Sequence, residues 1–191
     1  MAADGKLTDQ DTPLLVVITG PPASGKSTLA SALSVEVSLP CISRDAFKEI
    51  LFEELGWSDR ARSQRLGRAT WPLLYNVVGE QLRAGRSLIV EANFDPTLDA
   101  AEFVRLPAFR ALQIYCTATP EVIRERFAVR ARDSSRHPGH VDDSISAEIT
   151  AGLEADRWAP LELDGERIDV DTTTGEPVDA AALAARIRTL I

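Results

Sequence analysis

Five apolar residues in a row, Leu14-Leu15-Val16-Val17-Ile18, stop abruptly at Gly20-Pro21-Pro22. A run this short, rich in branched side chains and closed by glycine and proline, predicts a strand buried on both faces. The period then changes. Leu29, Leu33 and Val37 recur every four residues, which predicts a helix over 27–37. The same alternation continues down the chain, with strands predicted at 41–43, 87–90, 111–116 and 167–170. Helices are predicted at 45–55, 59–84, 96–104, 120–132, 144–158 and 179–190. Gly56 and Gly85 supply stops, and Asp59 supplies a cap for a long arginine-rich helix that Pro72 is expected to break or kink. Thr119-Pro120-Glu121 opens another helix with a cap, a proline in the first turn and an acid at the positive end. Residues 133–143 have no period and contain Ser134-Ser135 and His137-Pro138-Gly139-His140, so they are predicted to be a loop.

Strand alternating with helix is the pattern of an α/β fold: a five-stranded, mostly parallel sheet with helices on both faces. The 191 residues are 45% hydrophobic, enough for one such core, expected over 13–191 behind a mobile tail at 1–12. No run approaches the ~18 apolar residues of a membrane span. The N-terminus has no basic segment leading into an apolar core, so a cytoplasmic protein is expected. Cys41 and Cys116 both lie in strand-like surroundings. They are expected to be small buried side chains on neighbouring strands rather than a disulfide or metal pair.

A net charge of −8 opposes a broad nucleic-acid surface. The basic residues are nonetheless grouped, with Arg60, Arg62, Arg65 and Arg68 in one segment and Arg124, Arg126, Arg130, Arg132 and Arg136 in another. Local arginine clusters in an acidic chain suggest a phosphate site.

Gly20-Pro21-Pro22-Ala23-Ser24-Gly25-Lys26-Ser27 fits G-x-x-x-x-G-K-[ST], and it stands between the first predicted strand and the first predicted helix. That context matters because the chemistry needs all three parts. Glycines let backbone N–H groups curl around phosphate, and the helix dipole points at the same anion. Lys26 reaches the β- and γ-phosphates, the Ser27 hydroxyl is a ligand for Mg²⁺, and Thr28 continues the helix start. A nucleoside triphosphate, expected to be ATP, follows. Its base is expected between the arginine helix and Asp171-Thr172-Thr173-Thr174.

Downstream, Asp45 follows the second strand, where a carboxylate can take the proton of an attacking hydroxyl. Its blander role is a helix cap. Glu91 ends Leu88-Ile89-Val90 and can hold Mg²⁺ or its water, or touch substrate. Asn93 can bond substrate or simply form the turn before Asp95-Pro96. Arg126 and Arg130, four apart, share one helix face and can stabilise charge on the transferring phosphoryl group, with a small lid expected at about 130–143. His137 and His140 lack the partners of a zinc site and can contact ligand or lie exposed. No Asn-Lys-x-Asp or Asp-x-x-Gly motif occurs, which argues against a GTPase switch.

Gly20 to Thr28, Ile42-Ser43-Arg44-Asp45 and Leu88 to Phe94, with the arginine helix, resemble the P-loop kinases that include polynucleotide 5′-kinase, chloramphenicol phosphotransferase and zeta-toxin-like proteins. The resemblance implies a P-loop NTPase fold, with Asp45 as general base, Lys48 helping to bind the acceptor, and lid arginines at 126 and 130. The chain departs from polynucleotide kinases at Lys48, where they carry arginine, and at Glu91-Ala92-Asn93, where they tend to carry Asp-Thr-Asn. The expected activity is ATP- and Mg²⁺-dependent phosphorylation of a small-molecule hydroxyl. A polynucleotide 5′-hydroxyl kinase and a slowly hydrolysing, ATP-binding regulatory module are the alternatives.

Overall fold

A computed structural model describes residues 12–132, 137–140 and 146–191. Most of the expected N-terminal tail, and most of the expected lid loop, lie outside the described residues. Five strands, β1 (Leu14–Thr19), β2 (Cys41–Ser43), β3 (Leu88–Glu91), β4 (Arg110–Thr117) and β5 (Gly165–Asp171), form one sheet in the order β2-β3-β1-β4-β5. Every pairing is parallel. Among the described residues seven α-helices connect or follow them: α1 (Lys26–Val37), α2 (Arg44–Leu55), α3 (Arg60–Arg83), α4 (Pro96–Arg105), α5 (Pro120–Ala131), α6 (Ser146–Glu154) and α7 (Ala180–Arg188).

β1 is central and buried at all six positions, and its alternate side chains enter different cores. Leu14, Val16 and Ile18 pack with Leu29 and Leu33 of α1 and with Leu183 and Ile187 of α7. Leu15 and Val17 pack with Leu74, Val78 and Leu82 of α3 and with Phe103 of α4. A third cluster joins Ile123 and Phe127 of α5 to Ile149 of α6. The parallel α/β sheet expected from the alternation is therefore present, with helices on both faces, and it has the P-loop NTPase architecture that the resemblance implied. Among the described residues no helix is long and apolar enough to cross a membrane.

Several local expectations are corrected. Of the break or kink expected at Pro72, the break is absent: α3 is one continuous helix, and Leu74, Val78 and Leu82 pack the turns beyond the proline against the sheet. Cys41 and Cys116 are both free, but β3 and β1 separate their strands, so they are not neighbours. Only Cys116 is fully buried, and burial pushes its thiol up to about 12. α6 ends at Glu154, short of Trp158, whose ring instead packs with the third cluster. At α2 the N-cap is Ser43, with Asp45 in the first turn, so capping does not explain Asp45. Thr119 is the N-cap of α5 but makes no side-chain capping bond.

Candidate active site

β1 delivers the chain to the loop at Gly20, whose φ of 140° few other residues adopt. A Cβ there would stand 1.9 Å from the Cys116 carbonyl oxygen on β4, so the loop begins wedged against its neighbouring strand. The Gly20 carbonyl accepts a hydrogen bond from Asn93 Nδ2 at 2.8 Å, just past β3. The chain then turns through Ala23 (φ 61°), and Ser24 N–H donates to the Pro21 carbonyl at 3.3 Å. Pro21 and Pro22 stiffen this turn by fixing their own φ. Gly25 is the left-handed N-cap of α1 and offers no side-chain cap. The first-turn N–H groups are thus left for an anion, at the positive end of the helix.

Lys26 is 4% exposed and its Nζ donates to the Pro21 carbonyl at 3.1 Å. Burial holds its ammonium below the ordinary lysine value, Glu91 and Asp45 oppose that shift, and Arg130 adds to it. Glu91, 3% exposed, accepts two hydroxyl bonds, from Ser27 Oγ to Oε1 at 3.0 Å and from Ser43 Oγ to Oε2 at 2.7 Å. Ser27 Oγ and Glu91 Oε1 are hard oxygen donors of the kind magnesium takes. Among the described residues no group of three or more His, Cys, Asp or Glu side chains could hold a metal alone. The donor pair suits an ion held mainly through substrate phosphates.

Opposite the loop, Asp45 Oδ2 lies 3.6 Å from an Arg130 guanidinium nitrogen, and Oδ1 lies 3.9 Å from Arg44. Arg44 is itself fixed: its guanidinium sits 4.4 Å over the Trp71 ring and donates to the Gly67 carbonyl at 2.8 Å. A cavity of about 570 Å³ is lined by Gly25, Lys26, Ser27 and Thr28 of the loop and the start of α1. Asp45 and Glu49 of α2, with Arg126 and Arg130 of α5, line the same cavity. Arg126 is held by Thr172, donating to its Oγ1 at 2.8 Å and its carbonyl at 2.5 Å. It also borders two further concavities beside the loop after β5, of about 850 and about 410 Å³. The smaller is walled mostly by apolar groups such as Leu29, Val178 and Ala180.

The structure thus brings together the loop, Asp45, Glu91, Arg126 and Arg130. It does not bring Lys48 to the cavity wall. Lys48 is buried between α2 and α3, with its Nζ 5.2 Å from the centre of the Phe52 ring. The Asn93 amide nitrogen is engaged by the loop itself. His137 and His140 are not exposed: His137 stacks on Phe52 at 4.9 Å, and buried His140 meets Glu49 at 2.8 Å through Nε2. Sequence reasoning missed Ser43 and the Thr172 brace. Nothing local marks Ser43 as the partner of Glu91, 48 residues away, or Thr172 as the partner of Arg126.

Solved structures with this architecture include a protein from Chloroflexus aurantiacus j-10-fl, provisionally named a kinase. It shares 38% identity at a TM-score of 0.86, over 94% of this chain and 99% of that one. A sugar kinase from Janibacter sp. HTCC2649 shares 21% identity at a TM-score of 0.56, covering 94% of each chain. Shikimate kinase from Bacteroides thetaiotaomicron shares 18% at 0.52, over 93% of this chain and 97% of its own. At those lower identities the likeness is one of fold. No curated protein matches the chain. A family model described as AAA domain matches residues 15–155, which takes in the phosphate loop, Asp45, Glu91, and Arg126 and Arg130 of α5. The chain belongs to that AAA domain family.

Proposed function

We propose that this protein is an ATP- and Mg²⁺-dependent kinase that transfers the γ-phosphoryl group to a hydroxyl of a small molecule. The observation that carries the reading is one cavity lined by both a phosphate loop and an arginine-paired carboxylate, Asp45. A module that only binds nucleotide has no need of a base placed there. The 38%-identical relative, provisionally named a kinase, supports the reaction class.

In this reading the loop N–H groups and Lys26 hold the β- and γ-phosphates, and burial of Lys26 strengthens its field on them. Arg126, braced by Thr172, borders the concavities beside the loop after β5, where we place the base and ribose. Arg130 shifts between Asp45 and the γ-oxygens as charge develops on them. Asp45 orients the acceptor hydroxyl and accepts its proton as the oxygen attacks phosphorus. Ser27 and Glu91 would hold Mg²⁺, which supplies neutralisation of the phosphate charge. Asn93 keeps the loop in place, and Lys48 holds α2 on α3. A net charge of −8 favours a small acceptor over a polynucleotide.

The test is acceptor-dependent ADP release across sugars, nucleosides, aminoglycosides and 5′-hydroxyl oligonucleotides. A small molecule is expected to be the best acceptor. Asp45→Asn, which keeps the shape and removes the base, is expected to lower turnover about 10²-fold or more with ATP affinity nearly unchanged. An oligonucleotide as best acceptor, with activity falling steeply in salt, would give the acceptor to nucleic acid. ATP hydrolysis indifferent to every acceptor and to Asp45→Asn would remove the kinase reading.

A further inference from the structure

Ser43 closes β2 and is the N-cap of α2, a position at which serine ordinarily bonds a first-turn N–H. Here the hydroxyl makes no capping bond. It points across the sheet instead and donates to Glu91 Oε2 at 2.7 Å. The register explains why it reaches: Ser43 pairs directly with Glu91, and Glu91 pairs with Ile18 two residues before the loop. Glu91 therefore stands between two hydroxyls, Ser43 on one oxygen and the loop's Ser27 on the other. Glutamate has one more rotatable bond than aspartate, and at 3% exposure its carboxylate has few solvent contacts to orient it. Two fixed donors supply that orientation.

We propose that Ser43 is the positioning residue of the cation site, locking Glu91 Oε2 so that Oε1 and Ser27 Oγ present one edge to a divalent metal. The proposal deepens the kinase reading and rests on its assignment of Ser27 and Glu91. The Ser27 hydroxyl can keep its proton on Glu91 while its remaining lone pairs turn to the metal. Ser43 is the donor that need not change when metal arrives. A residue that orients a ligand in this way typically changes metal affinity 10- to 100-fold when lost, roughly the range expected here. Ser43 also stands two residues before Asp45, so the same hydroxyl ties the first turn of α2 to β3.

The test uses the full chain with Ser43→Ala, Ser43→Thr and Ser43→Cys. The dissociation constant of a fluorescent, non-hydrolysable ATP analogue is measured in EDTA and then across a Mg²⁺ titration. Mn²⁺ binding is read in parallel by electron paramagnetic resonance. Ser43→Ala is expected to raise the apparent cation dissociation constant roughly 10- to 100-fold, with the EDTA value within about two-fold of wild type. Ser43→Thr keeps the donor and is expected to restore cation binding. Ser43→Cys keeps the volume, weakens the donor and is expected to fall between, even if the alanine variant does not fold. Unchanged cation affinity in Ser43→Ala overturns the proposal. So does an equal loss of nucleotide binding with and without metal, or a threonine variant as weak as alanine. These are binding measurements, so a chain that phosphorylates no acceptor would sink the kinase reading and leave this result standing.

Discussion

Replacing Lys26 by methionine separates binding from folding. The side chain is nearly isosteric and enclosed, at 4% exposure, with its Nζ on the Pro21 carbonyl. Without nucleotide, the ammonium is a buried cation whose pKa is lowered chiefly by burial. Its removal is expected to leave the melting temperature of the nucleotide-free protein unchanged or raised. With nucleotide the balance reverses, because charge-assisted bonds to phosphate contribute about 1.5–3 kcal/mol. Their loss weakens affinity roughly 10- to 150-fold. At a ligand concentration about 100 times the wild-type Kd, binding stabilises the protein by about 2.7 kcal/mol. A 100-fold weaker variant at that concentration gains only about 0.4 kcal/mol. For a chain of this size the thermal shift therefore falls from about 5–11 °C to about 1–2 °C.

The same residue gives a pH signature. A lysine whose folded pKa lies below its unfolded value binds more protons when unfolded, so its contribution to stability rises with pH. That rise runs from the lowered folded value up to the ordinary 10.5. The wild-type minus Lys26→Met difference in unfolding free energy is expected to climb over that window and then flatten. Scanning fluorimetry with and without ATP, and urea melts across alkaline pH, give both readouts. A wild-type thermal shift in Lys26→Met would refute the reasoning, as would a nucleotide-free melting temperature well below wild type.

Gly20→Ala combines an unfavourable φ with a Cβ 1.9 Å from a backbone oxygen, and urea melts are expected to show a loss of about 2–6 kcal/mol. Gly25→Ala shares the unfavourable φ, at 85°, but its Cβ meets only Thr172 Cγ2 at 3.7 Å. Only the backbone part, about 1–3 kcal/mol, is expected there, and an equal loss in both variants would contradict the steric account at Gly20. Phe52 is 1% exposed and packs against His137, His140 and Lys48. Phe52→Ala is expected to cost about 3–5 kcal/mol and to speed proteolysis near His137–His140, whereas unchanged cleavage would mean the ring does not hold that turn.

Strand and helix order was legible because burial on both faces leaves a continuous apolar run, and a surface helix leaves a four-residue spacing. The phosphate loop was legible for a different reason, since its residues act on one another within eight positions. Elsewhere the decisive contacts cross the fold. Asn93 bonds Gly20 across 73 residues and His140 meets Glu49 across 91, distances over which local patterns carry no information. Pro72 shows propensity yielding to packing, because the helix beyond it is held by the sheet. The two cysteines show a limit of another kind: similar surroundings in sequence do not reveal strand order.

The two walls of the cavity differ in how firmly they are anchored. The phosphate loop grows from β1, which is buried along its whole length between two paired strands. Asp45 rides on α2, which starts from a three-residue edge strand with no fully buried position and itself buries only Lys48 and Phe52. Segments with so little enclosed surface open locally, while central strands open only with the whole molecule. On the proposed kinase reading, the donor half would behave as an anvil and the acceptor half as an adjustable jaw. On that reading, changes along α2 are expected to retune which acceptor is gripped while leaving nucleotide capture, built into the sheet's centre, untouched.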